Sequence, residues 1–247
     1  MDRLIYTAVS GMNASMLRQK MIASNMANAQ TIGFRAEVME FTPMTLKGES
    51  LEVRAMNHSA VQGAIMRAGS LTQTDRELDV AMAGEAMLAV QGLDGAEGYT
   101  RRGDLMVSAT GVLENGEGLP VIGEGGVITV PAGSRVTIAP DGAVMVSNPA
   151  TPDQPPVQVE RLKLVSPRGS EIEKDLNGLF RVVGGGVLPL DEDARVMPGN
   201  LEQSNVRPTE VLVEMVEAQR LYDMRSKLIV TARELDEGGA GLMRISS

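Results

Sequence analysis

Pro208-Thr-Glu-Val-Leu-Val-Glu-Met-Val-Glu-Ala-Gln-Arg-Leu-Tyr-Asp-Met-Arg-Ser-Lys-Leu-Ile-Val-Thr-Ala-Arg-Glu-Leu235 is the stretch from which the fold of this chain is read. Proline suits a first helical turn, where its missing N–H removes no bond. Glu210, Glu214 and Glu217 lie toward the start; Arg220, Arg225, Lys227 and Arg233 lie toward the end. That charge order complements the helix dipole. Two adjacent apolar stripes run along the segment, one through Val211, Met215, Ala218, Tyr222, Ile229 and Ala232, the other through Leu221, Met224, Leu228 and Leu235. Such a double stripe is wider than a two-stranded coil requires and suits a helix touched by more than one neighbour. Gly238-Gly239 is expected to end the helix and leave a short tail.

The opposite end carries a second helical pattern. Residues 3 to about 29 contain no proline, and Asp2 is placed to cap them. Ile5, Val9, Met12, Met16, Ala23 and Met26 recur at steps of four and three, with Gln19 as the one polar interruption. This is a seam for another helix. It breaks at Thr31-Ile-Gly-Phe34, where Gly33 is expected to terminate the helix.

Between the two ends the chain reads as β structure. Asp94-Gly95, Asn115-Gly116, Asp141-Gly142 and Asn177-Gly178 punctuate short alternating runs. The clearest hairpin joins Arg135–Ala139 to Ala143–Val146 through Pro140-Asp141-Gly142. Asn148 to Pro156 holds four prolines and is expected to be a loop. The resulting expectation is an α+β protein in which long N- and C-terminal helices form a coiled-coil-like polymerisation domain around a central, mainly β domain. Its divisions are a first helix and motif over 1–35, an extended connector over 36–75, a β-rich domain over 76–200 and a final motif and helix over 201–247. Each helix could pair with the other or with copies of itself in other subunits.

Composition narrows the chemistry. Aromatic residues make up 2% of the chain, whereas methionine occurs 17 times; flexible thioethers suit surfaces that must fit several neighbours. The net charge of −9 argues against nucleic acid or anionic lipid as a partner. No cysteine is present, which removes disulfides and zinc–thiolate sites. The first residues lack the unbroken apolar run of a cleavable signal, and no segment reaches the length of a membrane span. His58 is the only histidine, so no histidine metal cluster forms, and the glycine groups at 123–126 and 184–186 complete no nucleotide-binding motif. Glu171/Glu173 and Asp191/Asp193 are read as solvated loop carboxylates rather than a hydrolytic pair. No catalytic residue, cofactor or metal is expected.

Four separated segments carry a family resemblance. Ala23-Ser-Asn-Met-Ala-Asn-Ala-Gln-Thr-Ile-Gly-Phe-Arg35 resembles the N-terminal signature of flagellar rod, hook and hook-associated proteins, matching at Asn25, Ala27, Asn28, Thr31, Gly33, Phe34 and Arg35. Gly199-Asn-Leu-Glu-Gln-Ser-Asn-Val206 with Val213–Arg220 is similar to the C-terminal signature, including Asn205. Leu78-Asp-Val-Ala-Met82 and Tyr99-Thr-Arg-Arg-Gly-Asp-Leu105 match internally. Within the family, the opening Met1–Ala8, Met87–Gln91 and Arg161–Val165 look most like proximal rod members; distal members usually carry two aromatics where Met87-Leu88 stands.

The resemblance implies a structural rod subunit, exported by the flagellar type III apparatus without a cleavable signal, which joins proximal and distal rod proteins in the periplasm-spanning basal body. It implies terminal helices that polymerise, with Ile5, Val9, Met12, Met16, Met26, Val211, Met215, Tyr222, Leu228 and Ile229 as the expected assembly interface. A distal rod or hook-type axial protein, a secreted β-rich binding module with a helical stalk, and an acid-pair hydrolase are the competing readings.

Overall fold

A computed structural model of the protein describes residues 2–45, 55–151, 154–175 and 177–245, with side chains described except those of 2–8, 40–45, 55–62, 232 and 235–245. The side chains of Ile5 and His58 and the prolyl-aspartate 152–153 of the expected loop therefore lie outside the described residues. The chain divides into two compact units, one drawn from Met1–Ala27, Glu37–Gly63 and Arg207–Ser247, the other from Asn28–Ala36 and Ala64–Val206.

The first unit holds two helices, α1 (Asp2–Ala27) and α2 (Pro208–Ile245), with a strand pair, β1 (Glu37–Thr45) and β2 (Ala55–Ala64). The strand pair falls in the segment read as a connector. Helix α1 ends earlier than Gly33. Asn28 accepts from the Thr31 amide at 3.1 Å and from the Thr31 hydroxyl at 3.0 Å, turning the chain just after Ala27. Helix α2 instead runs on through Gly238-Gly239. Glycine costs about 1 kcal/mol relative to alanine inside a helix, which weakens this last part without forbidding it.

The α+β class holds, but the expected coiled-coil-like terminal domain does not form. Among the described residues the helices number two; they pack on each other, and α1 also packs on β1. The buried face of α1 is Ser15, Ile22 and Asn25, whereas Val9 and Met16 of the expected seam are 43% and 45% exposed. That is a rotation of about one residue, or about 100°. The cause is polar. The Arg225 guanidinium of α2 donates to the Gly11 carbonyl and the Ser15 hydroxyl, and a side chain on Gly11 would meet Arg225 at 3.7 Å. Small residues admit the arginine and its partners satisfy it, so the helices meet along a mixed face instead of an unbroken apolar repeat.

The second unit is built from short strands. A five-stranded sheet runs in the order Leu164–Val165, Met87–Gln91, Glu97–Thr100, Phe180–Val182, Ile172–Lys174, with antiparallel pairing. Along Met87–Gln91, Leu88 and Val90 face a large aliphatic core, and Met87 and Ala89 face a smaller one with Tyr99, Phe180 and Leu188. Burial on both faces explains why this stretch is continuously apolar rather than alternating. The expected hairpin is present, pairing Val136 with Val146 and Ile138 with Val144, and its turn uses Gly142 at φ 85°. Val157–Arg161 adds a third strand. Two small sheets, Leu71–Gln73 with Asn200–Glu202 and Val80–Met82 with Val196–Pro198, return the chain toward its starting segment.

Candidate functional site

The later part of the N-terminal signature and the earlier part of the C-terminal one meet inside the second unit. Residues 28–36 follow α1 and residues 199–206 precede α2, so the junction ties together the segments that leave one helix and enter the other. Gly33 sits at φ 68° and its amide donates to the Glu202 carbonyl at 2.7 Å. A Cβ at Gly33 would lie 2.4 Å from the Arg101 carbonyl carbon, so the position needs both the left-handed backbone and the missing side chain. Phe34 accepts from the Asn205 amide at 3.2 Å, and the Lys174 ammonium stands 3.6 Å over its ring.

Asn205 acts as a three-way clasp. Its Oδ1 accepts from the Ala36 amide at 2.7 Å, and its Nδ2 donates to the Ile65 and Arg67 carbonyls at 2.7 and 2.8 Å. Three chain segments are joined by one carboxamide, which has the right mixture of acceptor and donors. Within the first unit Asn25 plays the equivalent part. Its Oδ1 accepts from Glu37 N at 2.8 Å and its Nδ2 donates to Glu37 O at 3.0 Å, fixing α1 to the start of β1.

Beneath Gly33 lies a sealed ion network. The Glu202 side chain is fully buried and meets two guanidinium groups: Arg35 Nη1 at 2.6 Å and Arg101, through Nε at 2.8 Å and through Nη2. Oε1 also accepts from Gly69 N at 2.8 Å. Arg101 donates further to the carbonyls of Gly84 at 2.9 Å, Met82 at 2.9 Å and Ala86. Burial pulls the Arg101 guanidinium below its ordinary value; Glu202 opposes the shift and Arg35 adds to it. The carboxylate thus offsets two positive charges that water cannot reach. Gly69 and Gly103 permit the packing: a Cβ would stand 1.9 Å from the Gln203 carbonyl oxygen in one case and 1.8 Å from that of Val80 in the other.

Of the motif residues, Asn25, Gly33 and Asn205 are therefore engaged within the chain. Asn28 shapes the turn after α1, Phe34 is half-buried, and Ala27 is the exposed last residue of α1. Glu202 and Arg101 stood inside the quoted signatures but were not singled out. The signal available was a buried-type carboxylate and two arginines held in three separate motifs, with no way to read their convergence from spacing.

The expected interface residues separate into two groups. Val211 is buried, and Met12, Met26, Met215, Tyr222 and Ile229 are half-buried. Ile22 and Ala218 floor a groove of about 400 Å³ between α1 and α2, flanked by Met215, Tyr222, Gln19 and Asp223. Val9, Met16 and Leu228 face outward, and α2 exposes Leu212, Val213, Val216, Met224 and Val230 as well. Helix α2 is apolar well beyond the face it buries. The carboxylates considered for hydrolysis show no convergence: Glu171 and Glu173 are exposed on the Ile172–Lys174 edge, and Asp191 caps its own loop by accepting from Asp193 N at 3.1 Å. Among the described residues no group of three potential metal ligands forms, and no helix is long and apolar enough to cross a membrane.

Three family descriptions match this chain in sequence order. Residues 5–35 match the flagella basal body rod protein family, residues 81–146 the D1 domain of the flagellar hook proteins FlgE/F/G, and residues 197–242 the C-terminal region of the basal body rod FlgEFG proteins. The flagellar basal-body rod protein FlgF of Salmonella typhimurium is 43% identical over 246 residues, covering 97% of both chains. FlgF of Escherichia coli is 41% identical across 93% of both, and FlgF of Caulobacter vibrioides 30% across 95% of both. FlgG of Bacillus subtilis is 28% identical over 258 residues.

Proposed function

Because the chain belongs to the flagellar basal-body rod protein family, we propose that it forms the proximal part of that rod by packing the outer apolar surfaces of its terminal helices against neighbouring subunits. It is a structural subunit of the bacterial flagellar basal body and serves motility. The observation that carries the reading is the near full-length match to rod proteins, with family segments at both ends and in the middle. Its contribution is contacts and rigidity rather than catalysis. Its partners are other rod subunits, and it reaches them through the flagellar export apparatus to stand in the periplasm-spanning shaft.

Two features support the division of labour between surfaces. The inner helix faces and most of the motif residues are already used within the subunit, which leaves Val9, Met16 and Leu228 exposed, together with Leu212, Val213, Val216, Met224 and Val230 among the described residues. A helix that is apolar beyond its buried face has surface left for a neighbour. Head-to-tail contacts that do not close on themselves generate open helical assemblies. The test is deletion of the encoding gene followed by complementation and purification of basal bodies. The reading expects a non-motile strain with truncated rods, rescued by the intact chain, which is then found in the rod. Normal motility of the deletion strain, or recovery of the chain outside the basal body, would overturn it.

A further inference from the structure

The sequence holds two Asn-Gly pairs, and the fold treats them oppositely. Asn115 is fully buried at the end of Leu113–Asn115, and its Oδ1 accepts from Glu117 N and Leu119 N, both at 3.0 Å. Gly116 beside it is wedged: a Cβ there would meet the Asp104 carboxylate at 2.0 Å and the Arg102 guanidinium at 2.6 Å. Asn177 is exposed at the tip of the hairpin between Ile172–Lys174 and Phe180–Val182, and among the described residues only the Lys174 side chain comes near Gly178, at 3.9 Å from an added Cβ.

We propose that Asn177 is a site of spontaneous deamidation in the folded protein, while Asn115 is protected by its surroundings. The reaction requires the backbone nitrogen of the following residue to reach the side-chain amide carbon, and glycine leaves that approach unobstructed. Gly178 N gives up its proton to water and attacks Asn177 Cγ, forming a new C–N bond. The bond to Nδ2 breaks and ammonia leaves, closing a succinimide ring. Water then opens the ring at either carbonyl, giving aspartate or isoaspartate. The net change is amide plus water to carboxylic acid plus ammonia.

At Asn177 the barrier to approach is local. Gly178 N donates to the Asp175 carbonyl at 3.1 Å, and Asn177 N to Asp175 Oδ1 at 2.7 Å, both at an exposed hairpin tip. Opening such a tip is far less costly than unfolding a core strand. At Asn115 attack requires extracting a buried carboxamide from two backbone amides and displacing a packed ion pair. The isoaspartyl product at 177 would carry an extra methylene in the main chain and a new negative charge beside Asp175 and Lys174. Both act on the pairing of Lys174 with Phe180 and Glu173 with Arg181.

The test incubates the full-length protein at mildly alkaline pH, with and without urea, and maps peptides by mass spectrometry. Isoaspartyl methyltransferase labelling reports the rearranged product. Without urea, product at 177 should exceed product at 115 by more than about tenfold, a ratio set by local against global opening. In urea both sites should react at similar rates, and Asn177→Ser should remove the native-state product while leaving the product at Asn115 in urea. Equal rates at the two sites in the folded chain would overturn the proposal. So would native protection of Asn177 as strong as that of Asn115.

Discussion

Glu202→Gln removes one charge from a site where three groups depend on it. The substitution keeps shape, so packing is nearly unchanged and the effect isolates electrostatics. Arg35 meets Glu202 at 2.6 Å, and among the described residues its Nε has no hydrogen-bond acceptor. Arg101 loses its counter-charge while its carbonyl contacts remain. An amide in place of the carboxylate must also turn a donor toward either Gly69 N or a guanidinium, producing a donor–donor clash. Breaking a buried ion pair by removing one partner costs about 3–5 kcal/mol. For a unit of this size that corresponds to a fall in Tm of roughly 6–20 °C. Calorimetry suits the measurement, since the chain has no tryptophan to report unfolding by fluorescence. Adding Arg35→Met to Glu202→Gln should recover part of the loss, because one orphaned charge is then gone. A cost below about 1 kcal/mol, or a double variant no better than the single, would refute the account of this network as a buried charge balance.

The two helix surfaces should separate by phenotype: Met215→Glu should destabilise the helical unit by about 2 kcal/mol or more, whereas Leu228→Glu should leave the melting curve near wild type yet abolish rod incorporation. Loss of folding in Leu228→Glu, or normal motility with it, would count against the outer surface as the assembly face. Gly33→Ala combines φ 68° with a Cβ 2.4 Å from backbone, so a loss above about 2 kcal/mol is expected in a urea melt; a neutral result would show that the loop relaxes freely. Burial raises the Tyr99 phenol from 10.0 to about 12. The unfolded chain therefore ionises first as pH rises, so this stabilisation is intact below pH 10.0 and declines toward about 12. Tyr99→Phe should flatten that part of the stability–pH profile, and identical profiles for both proteins would dismiss the contribution.

Much of the layout was legible because it rests on local rules. The Pro140-Asp141-Gly142 turn demands a glycine at positive φ, and alternating aliphatic residues flank it, so both strands of its hairpin could be placed to within one residue. The apolar stripe of α2 through Val211, Met215, Ala218, Tyr222 and Ile229 was readable from period alone; the fold buries or half-buries these residues within the subunit, where contacts with neighbouring subunits were expected. The face of α1 was not. Counting apolar residues selects Val9 and Met16, but the contact is decided by Gly11 and Ser15 receiving Arg225 from a segment some two hundred residues away. The same holds for the junction. Asn25, Gly33 and Asn205 could be recognised by resemblance, yet their roles depend on partners that only the fold brings near. Nothing local to Glu202 says that it balances two arginines. The run through Gly238-Gly239 shows the reverse error, a strong local stop signal overridden along a helix with no proline after its first position.

The clasp of Asn205 on Ala36 spans 169 positions, and Glu202 reaches back nearly as far to Arg35. Both anchors are among the last residues of the β-rich unit to be synthesised. Loop-closure entropy makes so distant a pairing slow to find, and four of the unit's strand pairs, including the two that involve Val196–Pro198 and Asn200–Glu202, also span long separations. Until the chain has been made as far as residues 202–205, the two arginines lack this counter-charge and the starting segment lacks its clasp. The network therefore belongs to the last contacts the unit can make: neither the charge balance nor the clasp can form before the final strand, Asn200–Glu202, and the residues just after it have been made.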